Sequence, residues 1–292
     1  PEGRFRWLQF DNDVGWGGFW ADQPAWEFDM LAHQLAGTGG LHGHSTADTT
    51  RLLGGLMRNA DFRRLFLNVY ADLLNSVYQP SESIGRIDAL TATLAPEIAE
   101  HLRRWRAPAS VSEWQGHIAY LRNFARNRPA AVRRQLETRF KPSGPIQLSL
   151  AVSDPVGGSI RTTLLTVTNT PAKRWTGTYF KFNPLTLRAE ARPGWRFAGW
   201  RELPGVPATV TLGPTSDVAL TAEFVAVPLM IETIRRVEGD RLQLSGTAPA
   251  GVTLQMQTSA DLRTWQSFGP VITTQDGRWE TTIETGLRGS GW

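Results

Sequence analysis

Asp11-Asn12-Asp13 is the sharpest chemical feature of the sequence, with Gly15, Gly17 and Gly18 close behind it. Residues 4–10 (Arg-Phe-Arg-Trp-Leu-Gln-Phe) come just before. Phe5 and Trp7 alternate there, which reads as a strand. On a strand, residues i and i+2 point to one side, about 7 Å apart. Two carboxylates so placed could share a divalent cation or flank one carried by phosphate. Mg²⁺ takes one or two carboxylates together with phosphate oxygens. Glycines beside them would let backbone approach closely. The same composition also makes an ordinary turn, because Asp and Asn bond to backbone two residues on. The residues alone leave both readings open.

Other candidates for chemistry are weaker. His42-Gly43-His44 has no third ligand nearby in sequence and reads as a solvated loop. His101 and His117 fall in helical stretches, at the edge of packing. Cysteine is absent. This excludes disulfides, thiolate zinc sites and a cysteine nucleophile. No Gly-x-Ser-x-Gly, phosphate-loop or His-Glu-x-x-His motif occurs. Residues 103–141 carry ten basic and two acidic side chains. A phosphate-backbone partner is one reading. Arginine stems covering a core is the better one, so no nucleic-acid partner is expected; a phosphorylated or acidic protein substrate lies between the two. No apolar run approaches the roughly 20 residues of a membrane span.

A chain of 292 residues leaves room for two or three domains. The twelve tryptophans are scattered along it, which suggests several small cores. Residues 24–60 are mixed, and 37–50 read as a loop. From Asp61 the spacing becomes helical, with Phe62, Leu65, Phe66, Val69, Tyr70, Leu73, Leu74 and Val77 on one face. Asn59 or Asp61 could cap that helix, and Pro80 is expected to end it. A second helix is expected from Ile84 to Arg106. A third opens at Ser110, with Glu113 at capping-box spacing, and carries Trp114, Ile118, Leu121 and Phe124. Pro129 is expected to break it and to start a fourth helix, to Phe140. After Lys141-Pro-Ser-Gly-Pro the period becomes two. Strands are expected at 146–152, 158–168, 184–191, 207–212 and 217–225. A further boundary falls near Ala226-Val227-Pro228, followed by strands at 230–237, 241–246, 252–258 and 279–285.

Asp11-Asn12-Asp13-Val14-Gly15-Trp16-Gly17 after an aromatic strand resembles the W-D-x-D-x-x-F/W-G segment of the spore coat protein H (CotH) kinase family. Leu56-Met57-Arg58-Asn59-Ala60-Asp61-Phe62-Arg63-Arg64-Leu65-Phe66 resembles the family's L-x-x-N-x-x-F-R-x-x-F helix. Asp72–Tyr78, Ile87–Leu90, Glu97-Ile98 and His101–Trp105 follow in family order. Trp114 and the run Leu121 to Pro129 resemble its closing L-x-x-F-x-x-x-R-P stretch. The resemblance covers about residues 4–140. It implies a kinase-like fold, ATP, a divalent metal (Mg²⁺ or Mn²⁺) and phosphoryl transfer to a protein hydroxyl. It also implies that Asp11 and Asp13 are the metal-binding acids, with Asn12 and Gly15 shaping the cofactor-binding loop. No lysine occurs before Lys141. The nucleotide-clamping lysine and the catalytic loop are therefore expected upstream of Pro1, and this chain alone is expected to be inactive. A cell-surface or matrix-binding protein on a degenerate kinase-like scaffold is the alternative.

Ala189–Trp200 resembles the A-x-P-x-x-G-Y-x-F-x-x-W signature of internalin B-repeat modules of bacterial surface proteins. Leu220-Thr221-Ala222-Glu223-Phe224 resembles their closing strand. Thr258–Trp265 resembles the T-S-x-D-L-x-x-W of a β-sandwich module at the C-termini of exported proteins. Trp265, like the other aromatics, is expected to be packing. These resemblances imply a secreted or cell-surface bacterial protein. The expected architecture is multidomain α+β: the mostly helical C-terminal part of a kinase-like domain (1–141), a β-grasp-like module (142–227) and a C-terminal β-sandwich-like module (228–292).

Overall fold

The structure, a computed structural model, describes Trp16 and residues 24–35, 47–239, 241–249, 251–274 and 277–284. Helices fill the N-terminal half and strands the C-terminal half, an α+β architecture. Cα packing gives two compact units. One takes Pro1–Leu148 with Gly177–Leu185 and Gly213–Asp217; the other takes Ser149–Thr176, Thr186–Leu212 and Val218–Trp292.

The helices are α1 (Met30–Leu35), α2 (Ala47–Leu56), α3 (Ala60–Leu74), α4 (Pro80–Leu94), α5 (Ile98–Trp105) and α6 (Val111–Phe140). Helix α2 starts inside the stretch expected to be loop. Asn59 caps α3, its side chain accepting from the N–H groups of Asp61 and Phe62 at 2.8 and 3.0 Å. Pro80 does not end α3. That helix stops at Leu74, and Pro80 is the first residue of α4. Proline at that position loses nothing, because the first helical N–H groups have no partner in the helix. The single helix expected over 84–106 is divided by a 3₁₀ turn, Ala95–Glu97, at Pro96. Arg106 ends α5 with φ 54°, its N–H bonded to Leu102 O at 3.0 Å.

Ser110 caps α6 as expected, its hydroxyl accepting from Glu113 N at 3.1 Å. The break expected at Pro129 does not occur, and α6 runs through it for 30 residues. An interior proline removes one helical hydrogen bond and crowds the carbonyl four residues back, costing about 3 kcal/mol. Ala125, Ala131 and Leu136 are all buried on α6, and this packing outweighs that loss.

The strands are β1 (Pro145–Val152), β2 (Gly158–Arg161), β3 (Thr166–Val167), β4 (Trp175–Phe180), β5 (Leu185–Ala191), β6 (Trp195–Trp200), β7 (Thr209–Leu212), β8 (Val218–Ala226), β9 (Met230–Val237), β10 (Arg241–Thr247), β11 (Thr253–Thr258), β12 (Gln266–Thr273) and β13 (Arg278–Glu284). They form sheets ordered β4-β1-β8-β6, β3-β2-β5-β7, β13-β10-β9 and β11-β12. The stretch expected as one strand over 158–168 is two, because Thr162–Leu165 make a turn with Leu165 N on the Thr162 hydroxyl at 3.0 Å. Strands β4, β6 and β12 lie outside the expected strand spans.

Within the second unit, Trp200 is fully buried and Phe197 packs edge-on against it and against Phe224. Gly158 is required here: a Cβ would lie 2.4 Å from the Phe224 ring. Trp265 departs from expectation, being 52% exposed. The turn before it is held by Asp261 rather than by the indole.

Candidate functional site

A cleft of about 360 Å³ opens in the first unit between α3, α4 and α6. Helix α3 supplies Tyr70 and Leu74, the turn after it Tyr78, and α4 Ser83. Helix α6 supplies Phe124, Ala125, Arg128, Pro129 and Val132. Tyr70 and Leu74 are one turn apart, as are Phe124, Arg128 and Val132, so each helix turns a single side toward this space. Trp16 closes one wall, its ring 5.4 Å from that of Phe124 and tilted by 44°. Trp16 has φ 62°, in the left-handed region.

Arg128 is the cation of the cleft. One of its terminal nitrogens donates to the carbonyls of Trp26 and Phe28, both at 2.7 Å. Burial lowers its pKa, with Tyr70, Asp29 and Glu27 opposing that effect. Burial likewise raises the Tyr70 pKa, and the Arg128 charge offsets part of the rise. The segment around the 3₁₀ turn Ala25–Glu27 is gripped by α6 at further points. Arg134 forks onto both carboxylate oxygens of Glu27 at 2.8 Å, and Gln135 donates to the Glu27 carbonyl at 2.8 Å. The cleft walls are chiefly aromatic and aliphatic, with one guanidinium, two phenols and one hydroxyl. Such a lining can hold a planar ring and orient an anion. No carboxylate or imidazole lies among its described lining residues.

Asp11, Asn12, Asp13 and Gly15 lie outside the described residues, as do His42 and His44. Trp16 directly follows Gly15, and three residues of chain span at most roughly 11 Å. His101 is exposed, with its Nε2 2.9 Å from the Ala107 carbonyl. His117 is exposed too, 4.0 Å from Glu113. Among the described residues no group of three or more His, Asp or Glu side chains could hold a metal. No described helix is long and apolar enough to cross a membrane.

Sequence reasoning missed a buried polar cluster on the other face of α3. Asn68, Asp72 and Asn75 are spaced four and three apart and are all buried. Asn68 donates to the Pro184 carbonyl at 2.8 Å and accepts from Asn183 at 2.7 Å. Asp72 accepts a hydrogen bond from the Tyr179 hydroxyl. Arg133 of α6 donates to Asn75 Oδ1 at 2.7 Å and to the Thr178 carbonyl at 3.1 Å. The signal was a row of polar residues at helical spacing beside an apolar stripe, but their partners lie about a hundred residues away. Every described buried side-chain polar atom is satisfied, which marks this cluster as structural.

Residues 1–132 match the family model of the CotH kinase proteins. The match takes in the acidic segment, α1 to α5 and α6 as far as Val132, and thus every described lining residue of the cleft. No curated protein and no solved structure gives a significant match.

Proposed function

We propose that residues 1–141 form the C-terminal part of a CotH-like kinase domain, which transfers phosphoryl groups from ATP to a protein hydroxyl. The observation that carries this reading is the CotH kinase match over residues 1–132. Asp11 and Asp13 would hold Mg²⁺ or Mn²⁺, hard cations that take carboxylate oxygens. When bound, that ion would neutralise charge on the phosphates. Asn12 and Gly15 would shape the loop against the nucleotide.

The cleft supports the same reading. Its volume falls within the roughly 300–1,000 Å³ usual for small-molecule sites. Trp16 lies on its wall, three residues after Asp13. A kinase also needs a lysine on the phosphates and a catalytic Asp with its Asn. No lysine precedes Lys141, so residues 1–140 offer no such lysine. Residues 142–227 and 228–292 would be β modules of a secreted or cell-surface bacterial protein.

The lack of a lysine before Lys141 equally favours a second reading, a non-catalytic surface protein on a degenerate kinase-like scaffold. The test is to place Asp11→Asn and Asp13→Asn in the complete protein and compare melting with and without Mg²⁺-ATP. The kinase reading expects an intact fold and a lost ligand-induced shift. A lowered melting temperature without ligand and an unchanged shift would mean that the pair only shapes a turn. ATP-dependent autophosphorylation by residues 1–292 alone, abolished by Asp11→Ala, would overturn the expected inactivity.

A further inference from the structure

Among the described residues, strand β9 is an edge of the sheet β13-β10-β9. Its pairing sets Ile234 opposite Leu244 and Ile231 opposite Gly246. Gly246 in turn lies opposite Trp279. Residues directly opposite in an antiparallel pair share one sheet face. Leu244 and Trp279 are the centre of the local core, flanked by Leu242, Leu254, Met256, Ile272 and Ile283. Ile231 and Ile234 therefore stand on the core face. Yet they are 54% and 61% exposed, and neighbouring Leu229 and Met230 are 60% and 52% exposed. Among the described residues, the core stops one strand short of the sheet edge.

Long apolar edges invite pairing with another chain. The charges of this edge suit one partner in particular. The order along β9 is Met-Ile-Glu-Thr-Ile-Arg-Arg-Val. An antiparallel two-fold pairing of β9 with itself must centre on one residue, since bonded and non-bonded pairs alternate. Centred on Ile234, it sets Ile234 against Ile234. It also sets the Arg235-Arg236 half of each strand against the Glu232 half of the other. The register skips Glu232 opposite Ser245 and Gly246, so a bulge carries Glu232 to the face of Thr233 and Arg235. The Thr247 hydroxyl, which belongs to that face, donates to Glu232 at 3.1 Å. No like charges then face each other across the pairing. The bulge is built in: a Cβ at Gly246 would lie 1.9 Å from the Met230 carbonyl.

We infer that β9 is a homodimerisation edge, pairing antiparallel with β9 of a second copy about Ile234 and continuing the sheet into six strands. The test is the sedimentation-equilibrium or light-scattering mass of the 292-residue chain against concentration, for the wild type, Glu232→Arg, Arg235→Glu and an equimolar mixture of the two. The wild type should reach dimer mass. Each single variant should dimerise about tenfold more weakly, because like charges then oppose twice. The mixture should recover wild-type association. In a mixed dimer the two arginines of the first variant strand face the two glutamates of the second, so opposite charges meet at both ends of the pairing. Circular dichroism of each variant should be unchanged, as should its melting at concentrations where the wild type is monomeric. A wild type that stays monomeric up to millimolar concentration overturns the inference. So does a mixture no more associated than its components.

Discussion

Asn75 and Thr178 exchange two hydrogen bonds: the amide nitrogen of Asn75 donates to the Thr178 carbonyl at 2.9 Å, and Thr178 N donates to Asn75 Oδ1 at 3.0 Å. The side chain thus pairs with β4 as a neighbouring strand would. Arg133 completes the arrangement by donating to the same two oxygens. Burial lowers the Arg133 pKa, with Glu137 and Tyr179 opposing that effect.

Asn75→Ala should accordingly destabilise the chain by about 3 kcal/mol, since it strands the Thr178 N–H and part of the Arg133 guanidinium in a half-buried place. Leu90→Ala, at a residue 65% exposed, should change stability by no more than about 0.5 kcal/mol. Urea unfolding of both variants checks the contrast.

Asp261 makes a prediction about pH. Its carboxylate accepts from the N–H groups of Thr264 and Arg263 at 2.7 and 2.8 Å and from the hydroxyls of Thr264 and Ser259, each at 3.0 Å. The backbone bond from Thr264 is the largest cause, and together they hold its pKa well below the usual carboxylate range. A depressed folded pKa contributes stability above the unfolded value of about 3.9, and that contribution is lost as pH falls through the folded value. Carboxyl NMR from pH 5 to pH 2 should show no midpoint near 4 for Asp261. Thr264→Val should raise its midpoint.

The proposed boundary near residue 142 can be examined with residues 142–292 alone. This segment should melt cooperatively, but at a lower temperature than the whole chain. It keeps the strands and loses the partners that Asn68, Asn75 and Arg133 give to residues 177–185. A non-cooperative melt without dispersed amide signals would contradict separate folding.

Local signals were the legible ones. Asn59 and Ser110 were readable as caps because the cap is made within three residues of itself. The β strands from 185 onward were largely readable from alternation, as in the buried-exposed order of Leu185–Ala191. Pro129 misled because its local cost is set against burial of Ala125, Ala131 and Leu136, which the local pattern does not weigh. Strand β4 was passed over although Gly177, Tyr179 and Phe180 are its buried positions. Its role emerges only with α3, since Asp72 and Tyr179 lie 107 residues apart in sequence. For the candidate site, Asp11 and Asp13 were chosen by motif. The cleft was not foreseen, because Tyr70, Phe124 and Arg128 read as helix faces until α3 and α6 are brought together.

The central claim, that Asp11 and Asp13 hold a divalent cation beside the cleft, is tested most directly with Mn²⁺ and the indole N–H signals of the 292-residue chain, Trp16 being assigned by Trp16→Phe. Paramagnetic broadening falls off steeply with distance, and Trp16 is bound to within roughly 11 Å of the Asp13 backbone by the chain itself. The account predicts that substoichiometric Mn²⁺ broadens Trp16 ahead of the other tryptophans, and that the double variant Asp11→Asn, Asp13→Asn abolishes this while its melting temperature holds. Broadening of Trp16 that persists in the double variant, or its absence in the wild type, would contradict the account.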